Sequence, residues 1–160
     1  MIVIRENSLA AYFEVGEKQN LMFLGIFPEN ATAPTVPEAE ADAERFDAVE
    51  VMTAGGFTRF QRGGKALGFT CPDVPQYVSH ECQATSIGND HIFTLKSAEL
   101  EIKLHFLFAK GTRVVRTWTE VKNTTDHNVG LEYVSSKCEP RECPRQRENE
   151  ALFQVRRFSA

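Results

Sequence analysis

The chain has 160 residues and a mass of 18.0 kDa, the size of one domain able to bury a real core. A formal net charge of -4 and a pI of about 5.6 leave no basic field to recruit nucleic acid or an anionic membrane, so neither is expected as a partner. Its N-terminus, MIVIRENSLAAYF, lacks the basic lead and apolar core of a secretory leader, and no apolar run approaches the ~20 residues that span a bilayer, so a cytoplasmic protein is expected.

From the N-terminus, LAAYFEV (Leu9 to Val15) and LMFLGIF (Leu21 to Phe27) flank the turn-like GEKQN and predict a β-hairpin. The proline- and acid-rich PENATAPTVPEAEADAERF that follows predicts a solvated loop. DAVEVM (Asp47 to Met52) is a further expected strand, as are YVSHECQATS and HIFTL on the far side of a glycine-rich stretch. The clearest pattern is ELEIKLHFLF, where Leu100, Ile102, Leu104, Phe106 and Phe108 alternate with Glu99, Glu101, Lys103, His105 and Leu107. Period two over ten residues marks a strand with one buried face. Lys110-Gly111 turns the chain into the alternating TRVVRTWTEV, and the polar NTTDHN leads to VGLEYVSS. These three segments predict an antiparallel meander. Twelve phenylalanines suit the half-buried faces of such strands. After Lys137 the charge density rises and Pro140 and Pro144 interrupt the chain, leaving an edge strand around Leu152 to Val155 as the one regular element to expect.

The glycine-rich TAGGFTRFQRGGKALG (Thr53 to Gly68) has the composition of a phosphate loop but not its spacing. A Walker A motif needs Ser or Thr after Gly-Lys, so that the hydroxyl meets magnesium. Here Ala66 follows Gly64-Lys65, and Arg59 stands where the first glycine belongs. Cys71, Cys82, Cys138 and Cys143 form no C-x-x-C, and His80, His91, His105 and His127 show no ligand spacing. Reduced thiols and solvated or core-edge histidines are expected, with no metal and no cofactor. Two arrangements are open for strand TRVVRTWTEV. Arg116 and Glu120 pair while Trp118 covers the core, which is the default, or all three stand exposed as a stacked ionic site for a sugar. A mutarotase-like enzyme would need a histidine and a glutamate converging in a cleft, for which His80, His105 and Glu120 are the actors.

The run VVRTWTEVKNTTDHNVGLEYVSS (Val114 to Ser136) resembles a segment of the N-terminal domain of glycoside hydrolase family 36 α-galactosidases, of the form V-R-x-W-T-E-V-x-N-x-x-D-x-x-V-x-L-E-Y-V-S-S. Val115, Arg116, Trp118, Thr119, Glu120, Val121, Asn123, Asp126, Val129, Leu131, Glu132, Tyr133, Val134, Ser135 and Ser136 fill that pattern without a gap. Looser similarity extends back to the N-terminal hairpin, giving a sandwich domain over residues 1–136 and a divergent tail over 137–160. The resemblance implies an all-β fold, an antiparallel β-sandwich of the galactose-mutarotase-like kind, and only the first part of it. It also implies that the catalytic aspartates belong to a TIM barrel outside these residues, so no catalytic residue is expected here. The family's counterpart of the glycine-rich loop reaches a sugar pocket; Gly55, Gly63, Lys65 and Gly68 keep its skeleton, while Phe57, Phe60 and Arg59 replace polar contacts. The candidate substrate-binding residues are therefore Lys65, Arg59 and Trp118. The implied partners are an α-galactoside and further copies of the chain, since half a sandwich leaves apolar surface and open edges.

Overall fold

A computed structural model describes residues 1–35, 47–54 and 74–135. The described residues are all-β and contain no helix. Among them, nine strands run in the order β1 (Ile2–Glu6), β2 (Leu9–Val15), β3 (Leu21–Pro28), β4 (Val51–Thr53), β5 (Gln76–Ala84), β6 (Gly88–Lys96), β7 (Leu100–Ala109), β8 (Val115–Asn123) and β9 (Leu131–Val134). Strands β1-β2-β3 form one antiparallel sheet, β5-β6-β7-β8 a second, and β4-β9 a short pair. The two larger sheets are consistent with the expected β-sandwich, and their antiparallel pairing is what the alternating segments predict. The glycine-rich loop with Arg59 and Lys65, the acidic segment Glu38 to Arg45 and the tail after Lys137 lie outside the described residues.

The predicted hairpin 9–27 forms with Leu9↔Pro28 at its open end and Val15↔Leu21 beside the turn. Its strands are apolar almost without interruption because both their faces are covered. Leu9, Ala11, Phe13, Leu21 and Phe23 join the core shared with the four-stranded sheet, while Ala10, Tyr12, Met22 and Leu24 pack in a second cluster on the other face. Strand β1 carries no comparable signal, being five residues long, and reaches β2 through a two-residue turn at Asn7 and Ser8. Both residues have positive φ, 52° and 63°, the signature of a type I′ turn.

Between the two sheets lies a phenylalanine cluster. Phe13 sits 4.3 Å from Phe93 and 4.9 Å from Phe106, ring centre to ring centre, and 5.2 Å from Phe23. Leu100, Ile102, Leu104, Phe106 and Phe108 all belong to this core, as the period-two pattern of β7 requires. At the end of β7, Gly111 takes φ +69°, a left-handed turn conformation that a side chain disfavours.

Two expectations are corrected. The segment VGLEYVSS does not extend the meander: β9 leaves β8 and pairs with β4, through Val51↔Val134, Met52↔Tyr133 and Thr53↔Leu131. Residues 124–130 are too long a connection for a tight hairpin, and hydrogen bonds redirect them. Thr124 N–H donates to Glu99 O, Asn123 Nδ2 to His127 O, and Ala54 N–H to Gly130 O. The expected strand at 47–52 shrinks to β4, because Asp47 bridges Met22 and Ala48 N–H donates to Leu21 O before the chain crosses toward β9.

Candidate functional site

Parity along the four-stranded sheet sorts its polar residues into two groups. Facing the core, Phe93 and Leu95 of β6 place His91 and Asn89 on the inner face, and the pairing His80↔Phe93 and Cys82↔His91 brings β5 to the same side. On the outer face, Asp90 and Ile92 of β6 lie opposite Leu107 and His105 of β7, and Arg116, Trp118 and Glu120 of β8 follow beside Leu107, His105 and Lys103.

The inner group is a polar clasp at one end of the sandwich. His80 Nε2 lies 3.1 Å from His91 Nδ1, so one ring donates and the other accepts. His91 Nε2 stands 3.6 Å from Glu6 Oε1, and Asn89 Nδ2 donates to the same carboxylate oxygen at 2.9 Å. Asn7 Nδ2 donates to Ala109 O, so the β1–β2 turn is tied to both β6 and β7. His80 also stacks on Phe93 at 4.5 Å. Burial, and then the His91 charge, holds His80 below its ordinary value. Burial also holds His91 low, against the opposing pull of its hydrogen bond to Glu6 and of the Glu6 and Asp90 charges. The Cys82 thiol is pushed up, by desolvation of its sulfur first and by Glu6 and Asp90 after it, although the residue as a whole is exposed. A thiol pushed up is protonated at neutral pH and is a poor nucleophile or ligand. Among the described residues, no group of three or more His, Cys, Asp or Glu side chains has the arrangement of a metal site.

The outer group has the chemistry of a binding site. His105 Nδ1 lies 2.8 Å from Asp90 Oδ2, and the side chains are only 7% and 9% exposed. A carboxylate can only accept, so the proton of this bond sits on His105 Nδ1. The sequence places His105 on the polar face of its strand as a solvated or core-edge histidine; the structure keeps it on that face and buries it. Trp118 stacks on its ring at 4.3 Å and 13°, while Ile92 and Leu107, both buried, flank the pair. Asp90 Oδ1 and His105 Nε2 are buried with no hydrogen-bond partner among the described residues. Each such atom costs about 1–3 kcal/mol, a burden a fold does not carry without cause.

Glu120, 60% exposed at its side chain, stands over this layer. Its Oε1 is 3.4 Å from the Trp118 indole Nε1, long for a hydrogen bond, and 3.6 Å from His105 Nε2. The Arg116 guanidinium lies 5.3 Å from the centre of the Trp118 ring, within cation–π range. Trp118 thus does not cover the core, and no contact pairs Arg116 with Glu120; the three share the outer face. Of the residues a mutarotase-like centre would need, His105 and Glu120 approach one another, whereas His80 lies on the opposite face of the sheet. Asp90 escapes sequence reasoning because its partner is fifteen positions away and only the β6–β7 register aligns the two. Lys65 and Arg59 fall outside the described residues.

No helix among the described residues is long and apolar enough to cross a membrane. No family model, no curated protein and no solved structure matches this chain.

Proposed function

We propose that the chain is a non-catalytic β-sandwich domain similar to the N-terminal domain of family 36 α-galactosidases, serving α-galactoside hydrolysis only when joined to a catalytic barrel. The observation that carries this reading is the state of the outer-face acid–base group. Glycoside hydrolysis needs two carboxyl groups reaching the scissile oxygen and the anomeric carbon. Here Asp90 is sealed beneath its neighbours and committed to His105, so that of these two acids Glu120 alone reaches solvent. The resemblance also falls on structurally coherent ground. Val114 to Ser136 spans β8 and β9, and Thr119 Oγ1 donates to Ser135 O to hold the two together. Two measurements test the proposal. The purified chain should leave a chromogenic α-galactoside intact, and it should associate with a separately produced family 36 catalytic barrel. Robust cleavage, or failure to bind such a barrel, overturns it.

A second reading is a stand-alone carbohydrate-binding module that self-associates. It is favoured by the outward projection of Arg116, Trp118 and Glu120, an aromatic surface beside a donor and an acceptor. Leu131 and Tyr133 of β9, 47% and 40% exposed, supply apolar surface for a further copy. Calorimetry with galactosides tests the first half of this reading, and light scattering tests the second.

A further inference from the structure

Three polar atoms on the outer face converge on one spot and make only long contacts with one another. Glu120 Oε1 stands 3.4 Å from Trp118 Nε1 and 3.6 Å from His105 Nε2. Ordinary hydrogen bonds between such atoms run about 2.7–3.2 Å. His105 Nε2 is buried and unpartnered among the described residues, and its ring is locked by the Asp90 bond behind it and the Trp118 stack beside it. Among the described residues, the exposed Glu120 carboxylate stands over it at 3.6 Å.

We propose that His105, Glu120 and Trp118, oriented by Asp90, form a hydroxyl-binding subsite for a neutral pyranoside on the outer sheet face. A hydroxyl entering between Glu120 Oε1 and His105 Nε2 can donate to that ring nitrogen, which accepts because the proton is on Nδ1. It can also accept from the Trp118 indole N–H, while a second hydroxyl of the same sugar donates to the Glu120 carboxylate. That replaces two long contacts by hydrogen bonds of normal length after a small swing of Glu120. The indole offers an apolar surface for the C–H face of the sugar ring. The charge balance selects a neutral ligand. An anion would meet the carboxylates of Asp90 and Glu120, and a cation would meet the Arg116 guanidinium 5.3 Å from the ring centre. A polyol alone uses this mixture of donors and acceptors without an unpaired charge. The subsite rests on the carbohydrate-binding reading and not on the resemblance to family 36.

Trp118 is the only tryptophan of the chain, so intrinsic fluorescence reports on this site alone. The purified full chain is titrated with methyl α-galactoside and methyl α-glucoside while Trp118 emission and calorimetric heat are followed together. A saturable emission change in the millimolar range is expected for at least one pyranoside. Glu120→Gln replaces a charged acceptor with a neutral one and should weaken binding about tenfold. Because Glu120 is exposed, this variant should keep the wild-type circular dichroism spectrum. Calorimetric binding that leaves Trp118 emission unmoved, or that Glu120→Gln does not weaken, overturns the subsite and spares the carbohydrate-binding reading. No binding of either sugar overturns both.

Discussion

The Asp90–His105 pair yields the sharpest stability prediction. Both side chains are more than nine-tenths buried, and each has one ring or carboxylate atom without a partner among the described residues. Changing His105 to Phe keeps an aromatic ring against Trp118 but strips Asp90 of its hydrogen-bonded partner. Leaving a buried carboxyl group without its hydrogen-bond partner costs about 1–3 kcal/mol. Changing Asp90 to Leu leaves the His105 Nδ1 proton unpaired, at about 1–3 kcal/mol. The double variant Asp90→Leu/His105→Phe instead extends the apolar layer already made by Ile92 and Leu107. Its cost should fall well short of the sum, with a coupling of about 2–3 kcal/mol. Urea unfolding of the wild type, both single variants and the double variant measures this directly. Additive effects within about 0.5 kcal/mol would refute the pairing.

Further outcomes follow from the inner clasp and the turns. The folded values of His80 and His91 lie below the ordinary 6.5, so the unfolded chain binds more protons at mildly acidic pH. Stability should therefore be full above about pH 6.5 and fall as pH drops below it, levelling once the folded-state values are passed; His80→Gln should flatten that slope in melts taken at a series of pH values. Ser8 occupies the second positive-φ position of the β1–β2 turn, at 63°, and Ser8→Gly should stabilise by about 1 kcal/mol in urea melts. A loss of stability on that change would mean the turn is not type I′. At Gly88 an added Cβ would strike the Phe108 backbone carbonyl, so Gly88→Ala should cost about 1–3 kcal/mol by forcing β6 and β7 apart, and a neutral effect in the same assay would contradict that close approach.

Much of the fold was legible in the chain itself. Alternation along β7 predicted its core-facing side, Leu100 to Phe108, but not the burial of His105 and Leu107 on the other, and GEKQN between two apolar runs located the β2–β3 hairpin, because local periodicity and turn chemistry carry that information. The partner of β9 was not legible. A strand's period tells which side is buried but not which strand it meets, and hydrogen bonds accepted by Glu99 O and Gly130 O, with the one Ser135 N–H donates to Glu50 O, made that choice. The same limit applies to the site. Trp118, Arg116 and Glu120 share one face by spacing alone, so the sequence determined their grouping. Whether that face met the core or solvent depended on which side of the sheet the Phe13–Phe93–Phe106 cluster filled. The tertiary structure decided that, and it brought Asp90 to His105 from a neighbouring strand. Hydrogen-bond register between strands is a long-range property, and only the folded chain contains it.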